Sequence, residues 1–359
     1  VILKKLVNIA KKAGAKQVKF QIFNIDERAE PNTKEYKIFK PLVLNENSWK
    51  RILYYAKKQK LSVFADVYGD YSFNLAKKNE VFGYKIHSED FFNSFFIERV
   101  INTNRPVLIN CGGTYKSELY DLISFLDKKN KLSKKIVLMH GVQTFPTPPE
   151  GHSLFEFKNL IENYKKYDVS FGYSDHVEPS NNLSTILPSI AYSLGANIIE
   201  KHFTDDLKFK RTDHQSSMDA KQIKNFLNQF EYVLKNLTPQ TKFLKFEEKY
   251  RSMFKKTSVL NKSKKQNDVI TEHDLNFIKN PKFKSHNFSH NLVNKKINTS
   301  LKKNSSLNNN NLKLKIGAII TVRMSSKRYP NKAFKKINGI SSIQLLIRRI
   351  KKIKNISEI

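Results

Sequence analysis

Two histidines, His176 and His202, each follow a predicted strand and have acidic residues nearby. The strands are the apolar runs at 169–173 and 197–200, and an apolar segment of helical spacing lies between them. In a parallel α/β sheet the carboxyl ends of the strands carry the chemistry, so both imidazoles are expected at one edge. The acidic neighbours are Asp175, Glu200 and Asp213. This set can hold one divalent metal ion; the alternative is that both histidines only form structural hydrogen bonds.

The composition is that of a protein with one large domain and a smaller one. The chain has 359 residues, of which 39% are hydrophobic, enough for a sizeable core. Its single cysteine, Cys111, excludes an internal disulfide framework and suits the reducing cytoplasm. No apolar run has the length of a membrane span and no signal peptide is visible, so we predict a cytoplasmic protein without a membrane partner. Because the chain opens with Val1 in a helical pattern, we expect a fragment that lacks its true start.

The charge is strongly basic. With 65 Lys and Arg against 32 Asp and Glu, the formal net charge is +33. Such a charge invites a nucleic-acid partner. However, the lysines are scattered along every segment, and no stripe of arginines alternates with aromatic residues as phosphate-binding surfaces do. We therefore predict no nucleic-acid partner, although the positive field favours anionic substrates.

Strands and helices alternate over the first 240 residues. The predicted strands are centred on Val18, Val63, Tyr84, Val107, Val137, Val169 and Ile198. Each has a helix beside it, and an amphipathic helix at 2–13 opens the chain. Polar residues follow nearly every strand. The pattern predicts an α/β fold, a (β/α)8 TIM barrel that lacks its first strand, with a doubly wound open sheet as the alternative.

The sequence pattern changes after Thr238. The region 255–311 has short apolar runs, and Thr271 with Asp274 predicts a capped helix. Residues 315–320 then read as a buried strand, followed by a basic loop and a helix, which is how a nucleotide-binding α/β domain begins. We predict three domains, at 1–240, 255–312 and 315–359.

Several motifs resemble those of a known family. The segment from Val18 to about Leu237 resembles the sialic acid synthase barrel, through VKFQIF, YKIHSED, HGVQTFPTP, GYSDH, EKHF and TDHQSSM. Residues 257–312 resemble that family's antifreeze-like (SAF) domain. Residues 315–359, with AIITVRMSSKRYPNK, resemble the start of a Rossmann-like nucleotidyltransferase that makes CMP-sugars. The resemblance implies condensation of phosphoenolpyruvate with an N-acylated aminosugar, and a fusion of two consecutive pathway steps.

The resemblance also implies roles at matching positions. His176 and His202 match the two protein ligands of the family's divalent metal, Mn²⁺ or Mg²⁺. The positions that match the family's phosphoenolpyruvate site are Lys19, Lys85, Ser88 and Ser174. The positions that match its contacts to sugar hydroxyls are Gln21 and Asp213. The predicted catalytic residues are Lys19, Asp90 and Asp213. In the nucleotidyltransferase-like segment, the candidates for a triphosphate are Arg323, Ser326, Arg328 and Lys332. The SAF-like domain implies a homodimer.

Some positions depart from the family's pattern. The strand that carries the family's catalytic glutamate is absent, and Asp66 stands where the family has a small hydroxyl. The other departures are Asn110-Cys111 for a Ser-Thr pair, Gln143-Thr144-Phe145 for Asn-x-Tyr, and 280–282 for Arg-Pro-Gly. Asn110, Gln143 and Phe145 remain predicted substrate contacts. Phosphoenolpyruvate is the firmer expectation, and the acceptor is N-acetylmannosamine or a related nonulosonic acid precursor.

Two other functions stay open. One is a metal-dependent sugar isomerase or epimerase on the same barrel. The other is a non-catalytic basic module that binds nucleic acid or an anionic surface, an interpretation favoured by the missing first strand and the altered loops.

Overall fold

A computed structural model describes residues 2–239, 241–280, 282, 287–313, 317–322 and 330–353, without the side chain of Pro149. It divides into two compact units, 1–239 and 240–359. Across the described residues, no helix combines the length and the apolar character that crossing a membrane requires.

The first unit is built on one sheet of eight strands in sequential order. The strands are β1 (Gln17–Ile22), β2 (Ser62–Val67), β3 (Gly83–Ile86), β4 (Val107–Asn110), β5 (Ile136–His140), β6 (Ser170–Asp175), β7 (Ile198–Phe203) and β8 (Ser217–Met218). Every neighbouring pair is parallel. The seven predicted strands are confirmed, and the short β8 was not predicted. The sheet curls into a half-barrel, and among the described residues β1 and β8 are its two unpaired edges.

Ten helices of the first unit flank these strands: α1 (Ile2–Ala13), α2 (Ile25–Arg28), α3 (Lys34–Phe39), α4 (Glu46–Lys58), α5 (Asp70–Lys78), α6 (Ser94–Ile101), α7 (Lys116–Lys128), α8 (Leu154–Tyr164), α9 (Leu183–Leu194) and α10 (Ala220–Leu237). The interval 24–44, between β1 and α4, contains α2 and α3. Both begin at side-chain caps: Asn24 accepts a hydrogen bond from the Asp26 amide, and Thr33 accepts one from the Tyr36 amide.

The alternation of β1 explains how the sheet separates its two faces. Val18, Phe20 and Ile22 belong to the main core, which packs against the helices. Lys19 and Gln21 lie on the other face, inside the curl. Deeper in this interior, Phe64, Leu108, Val137 and Met139 form a separate apolar layer. Charged residues of the inner face therefore stand above an apolar floor, near the carboxyl ends of the strands.

The second unit has its own small core, formed by Leu260, Ile270, Leu292, Ile297, Leu307 and Leu312. It begins with α11 (Lys245–Phe254), which the sequence did not predict, and pairs β9 (Thr257–Leu260) with β10 (Leu275–Ile278) antiparallel. The predicted capped helix is only a 3-10 turn at Glu272–Asp274, although the capping box of Thr271 and Asp274 forms. Asp274 is held there by Lys264 at 2.6 Å.

The last segment differs in part from its prediction. The predicted helix is present as α12 (Ser342–Lys351), after a short hairpin of β11 (Lys336–Ile337) and β12 (Ile340–Ser341). The prediction of a strand at 315–320 is wrong for 317–320, which contain only one bridge residue. Residues 315–316 lie outside the described residues.

Candidate active site

Four charged side chains meet on the inner face of the sheet. Lys19 on β1 contacts Asp66 on β2, with 2.9 Å between Nζ and Oδ2. Glu200 on β7 accepts a hydrogen bond from Lys85 on β3, with 2.7 Å between Oε1 and Nζ, and its Oε1 lies 3.5 Å from Lys19 Nζ. Both lysines are predicted phosphoenolpyruvate contacts, and they do point into the interior. Two lysines and two carboxylates thus form one inner charged cluster, and we use that name for these four residues.

The pKa directions show how tightly this cluster is coupled. Burial alone would raise the pKa of Glu200, but the charges of Lys19 and Lys85 outweigh it and lower that pKa. Burial lowers the pKa of Lys85, although Glu200 opposes that effect. For Lys19, the carboxylates of Asp66 and Glu200 outweigh burial and raise the pKa. Glu200 is therefore ionised, as a counter-ion to the lysines.

This assignment corrects part of the predicted metal environment. Asp175 and Glu200 were both expected to flank the histidines. Glu200 is engaged by the lysines, and Asp175 pairs with Lys201 on the outer face of the sheet. The reason is strand alternation: because Asp175 directly precedes His176, the two side chains point to opposite faces.

The two histidines themselves do come together. The ring centroids of His176 and His202 are 5.2 Å apart. His176 Nδ1 lies 2.7 Å from the carbonyl oxygen of Val142, so a neutral ring donates there and leaves Nε2 free. Burial lowers the pKa of both imidazoles, that of His202 to about 3, with His176 adding to the effect. Asp213 faces this pair, with its Oδ2 3.9 Å from His202 Nδ1.

This donor set fits a divalent ion with two protein ligands. Both imidazoles are neutral, which is the form that binds metal, and their separation lets each direct one nitrogen to a common ion at about 2.1 Å. Within the part of the chain that the structure describes, no group of three or more His, Cys, Asp or Glu side chains could hold a metal. The remaining coordination positions would be left to substrate and water.

Other predicted substrate contacts lie on β4, after β5 and on β6. Asn110 Oδ1 accepts hydrogen bonds from the Gly112 amide at 3.0 Å and from Gln143 Nε2 at 3.3 Å. The ring of Phe145 lies against both histidines, with centroid distances of 4.4 Å to His176 and 5.7 Å to His202. Ser174 is buried on β6, and its hydroxyl has no partner among the described protein atoms. Of these predicted substrate contacts, Phe145 packs directly against the histidine pair.

Arg28 at the end of α2 was not predicted as a site residue. Its guanidinium carbon lies 3.8 Å from the ring centroid of Phe39 and 4.4 Å from that of Tyr68, and Nη2 lies 3.1 Å from Glu89 Oε1. Its buried Nη1 has no partner in the described ranges. The sequence of 24–44 does not predict a helix, and it therefore did not predict that Arg28 lies beside the site.

Asp90 is a titratable group close enough to Asp66 of the inner charged cluster to be affected by its charge. Burial, and then the charges of Glu89 and Asp66, raises its pKa to about 6, while Arg28 opposes the rise. Burial likewise raises the pKa of Asp213, against the charges of Lys19 and Arg28. Ser88, half-buried, precedes Asp90 in the same 3-10 turn, and Gln21 is paired in register with Asp66.

A cavity of about 2020 Å³ reaches this region from the side of β1 and β7. The predicted site residues in its lining are Lys19, Gln21, His202 and Asp213. Three of the predicted nucleotide contacts, Arg323, Ser326 and Arg328, lie outside the described residues. Lys332 is described in the second unit, where its carbonyl accepts a hydrogen bond from Ser342 Oγ at 3.0 Å.

Relatives of known sequence share most of the first unit. The chain is 31% identical over 235 residues to an uncharacterized protein of Methanocaldococcus jannaschii, a match that covers 65% of this chain and 66% of that protein. It is 25% identical over 289 residues to N,N'-diacetyllegionaminic acid synthase of Campylobacter jejuni, covering 76% and 84%. It is 27% identical over 241 residues to N-acetylneuraminate-9-phosphate synthase of Drosophila melanogaster, covering 62% and 60%. The chain thus spans about two thirds of the archaeal relative's length.

Solved structures share the fold. Spore coat polysaccharide biosynthesis protein E of Chromobacterium violaceum gives a TM-score of 0.73 at 18% identity, covering 86% of this chain and 94% of that one. N-acetylneuraminic acid synthetase of Leptospira borgpetersenii gives 0.62 at 24% identity, covering 70% and 86%. A sequence model described as the NeuB family matches residues 6–242, well over half of the chain. The chain belongs to the NeuB family.

Proposed function

We propose that this protein condenses phosphoenolpyruvate with an N-acylated aminosugar to give a nonulosonic acid and phosphate. One observation carries the proposal: a buried lysine, Lys85, and a partly buried one, Lys19, face the same interior as a neutral histidine pair on a NeuB-family sheet. The electrostatic coupling supports a single site, since the charges of Lys19 and Lys85 both act on His202. Cations for a phosphate and a carboxylate therefore lie beside donors suited to a metal.

In this proposal Lys19 and Lys85 bind the phosphate and carboxylate, and the hydroxyls of Ser88 and Ser174 add hydrogen bonds. C3 of the enol attacks the aldehyde carbon of the sugar, water adds at C2, and the tetrahedral product loses phosphate by cleavage of the C–O bond. A divalent ion held by His176 and His202 would supply Lewis-acid polarisation of a sugar carbonyl and activation of water. Fixed cations and dipoles contribute most to such a charge-separated reaction.

Two acidic residues have distinct proposed roles. Asp90 has a pKa of about 6, so it can both take up and release a proton near neutral pH. Asp213 lies beside His202 and lines the cavity, where it can hold sugar hydroxyls. Phe145 packs against both histidines, Asn110 accepts a hydrogen bond from Gln143, and all three are proposed acceptor contacts. Because these three differ from the family's usual residues, a diacetamido sugar is as suitable an acceptor as N-acetylmannosamine.

The second unit has further proposed roles. The antiparallel pair of β9 and β10 and the small apolar core support an SAF-like domain at 255–312. We propose that this domain makes the protein a homodimer, which light scattering would show as twice the mass of the chain. We also propose that 315–359 begin a cytidylyltransferase-type domain and that the protein acts in the cytoplasm.

The test is phosphate release from phosphoenolpyruvate by the purified protein with Mn²⁺, with N-acetylmannosamine and a panel of diacetamido sugars as acceptors. We expect release that requires both the metal and one of the sugars. Release without any sugar, or no release with any of them, would contradict the proposal. A chelator-treated sample and the Lys85→Met variant are the controls.

One observation favours a second candidate function, a metal-dependent sugar isomerase or epimerase. The inner charged cluster already neutralises both lysines with Asp66 and Glu200, so the interior does not need an anionic substrate. This candidate predicts that the sugar is converted when phosphoenolpyruvate is omitted, which chromatography of the same reactions would detect.

A further inference from the structure

Asp66 is the least expected member of the inner charged cluster. Its side chain is fully buried, and one oxygen bonds Lys19 at 2.9 Å. The other oxygen, Oδ1, has no hydrogen-bond partner among the residues that the structure describes. On the sheet, Asp66 is paired in register with Gln21 on one side and with Lys85 on the other. It therefore stands between the proposed sugar contact and the proposed phosphate contacts.

Among the described residues, Asp66 pairs with only one of the two lysines, Lys19. Glu200 lies within 3.5 Å of both ammonium groups and is the counter-ion that they share. A second buried carboxylate brings its own desolvation cost, and one of its oxygens has no compensating hydrogen bond. A neutral group at this position would leave the pair of lysines with an excess positive charge. With Asp66 present, two cations face two carboxylates.

The consequence concerns any phosphate that enters. A phosphate that binds Lys19 either shares its ammonium group with the Asp66 carboxylate or displaces that carboxylate, and in both cases the ligand lies close to the negative charge of Asp66. At separations of about 5 Å that repulsion is substantial even at an effective dielectric constant of about 20. Asp66 also remains in place to bind Lys19 again when the phosphate leaves.

We propose that Asp66 is a specificity-determining residue that weakens the retention of phosphate-bearing ligands in this pocket and promotes release of the phosphate product. The inference rests on the proposed function for its connection to turnover, but its effect on anion binding does not. Asp66 competes with phosphate for one ammonium group, and the affinity of the site for anions is set by that competition.

The test is inorganic phosphate binding to the whole protein, measured by calorimetry without sugar or metal. Asp66→Asn keeps the shape and removes the charge, and Asp66→Ser introduces a hydroxyl. We expect both variants to bind phosphate at least about fivefold more tightly than the wild type, because a nearby like charge is removed. Unchanged or weaker binding in a folded variant, or no phosphate binding by any of the three proteins, would overturn the proposal.

Asp175→Asn is the matched control. Asp175 is also a fully buried aspartate that bonds a lysine and has one unpartnered oxygen in the described part of the chain, but it lies on the outer face. We expect its phosphate affinity to stay within about twofold of the wild type, since the charge removed is remote from the pocket. If Asp175→Asn tightened phosphate binding as much as Asp66→Asn does, the effect would be general and the proposal wrong.

Steady-state kinetics separate this inference from the proposed function. If the condensation occurs, Asp66→Asn should lower the KM for phosphoenolpyruvate and increase inhibition by phosphate, with the KM for the sugar unchanged. A merely structural role would change both KM values together. If no condensation is found but phosphate binding still tightens in the variants, the anion competition stands and the proposed reaction fails. If condensation is found but phosphate binding does not tighten in the variants, the proposed reaction stands and the anion competition fails.

Discussion

The two faces of the sheet bury charge in different ways. On the outer face, Asp175 and Lys201 are register partners on adjacent strands, and their side chains are 0% and 4% exposed. Lys201 also donates to the carbonyl of Ser184 at 3.0 Å and lies 5.6 Å from the ring centroid of Phe226. One cation is matched to one carboxylate, and α9 and α10 cover the pair.

On the inner face the charges come from strands that are not all adjacent, β1, β2, β3 and β7, and Lys19 with Glu200 lines the cavity. Both faces contain a fully buried aspartate with an unpartnered oxygen among the described residues, namely Asp66 and Asp175. Burial and an unpartnered atom therefore do not by themselves identify a functional site. Convergence of charges on an accessible space beside metal-type donors does.

The largest expected effect is on the inner face. Lys85→Met removes a cation that the proposed substrate cannot replace, and we expect turnover to fall by at least about 1000-fold, the scale of losing an electrostatic group at a transition state. The fold should survive, because Glu200 keeps Lys19 nearby. Phosphate release and a thermal melt measure the two effects. If the variant's turnover stayed within tenfold of the wild type, the claim that inner-face charges act in catalysis and outer-face charges act in stability would be contradicted.

The outer pair should act through stability instead. Lys201→Met leaves Asp175 buried without its cation, and we expect a loss of about 3 kcal/mol in the free energy of unfolding. The double variant Asp175→Asn with Lys201→Met should regain most of that loss, because neither charge remains. Urea unfolding of the wild type, both single variants and the double variant gives the double-mutant cycle for this pair. An additive loss in the double variant would argue against direct pairing.

The histidine pair should respond through metal affinity. His176→Ala removes one of two proposed ligands, and we expect Mn²⁺ to bind at least about 100-fold more weakly. Electron paramagnetic resonance of free Mn²⁺ measures this directly, without an activity assay. The melting temperature of the metal-free protein should change little. Equal Mn²⁺ affinity in wild type and variant would place the metal, if any, elsewhere.

The smallest effect concerns pH. The pKa of Asp90 is raised to about 6 by burial, so between its ordinary range and pH 6 the folded state binds more protons than the unfolded state. Stability should therefore fall as pH rises through that window. Because Asp90 is partly exposed, the loss is no more than about 1 kcal/mol after screening. Urea unfolding at pH 4.5 and pH 7 should show this slope in the wild type and its absence in Asp90→Asn.

Much of the first unit could be predicted because strands and their alternation are local properties. Lys19 and Lys85 fall on the inner face by a two-residue period. His176 follows β6 and His202 lies near the end of β7, so motif and spacing indicated the positions of four candidate site residues. The same period should have excluded Asp175 from the metal environment, since it directly precedes His176. Its outward direction follows from the alternation that placed the histidines.

The remaining features depend on contacts that the sequence does not state. Glu200 reads as a neighbour of His202, yet it pairs with lysines from β1 and β3, which only the curl of the sheet brings close. Arg28 reads as a loop residue, and its aromatic surroundings come from residues far apart in the chain. The helix α11 was not predicted, and none of its residues is buried in the described structure.

The most direct test of the central claim is to follow the oxygen atoms during phosphate release in ¹⁸O-labelled water, with Mn²⁺ and an active acceptor sugar. The proposed C–O cleavage predicts that the released phosphate is unlabelled and that solvent oxygen appears in the sugar acid. Labelled phosphate would mean that water attacks phosphorus, and release without the sugar would mean simple hydrolysis. Either result would contradict condensation on the inner face of this sheet.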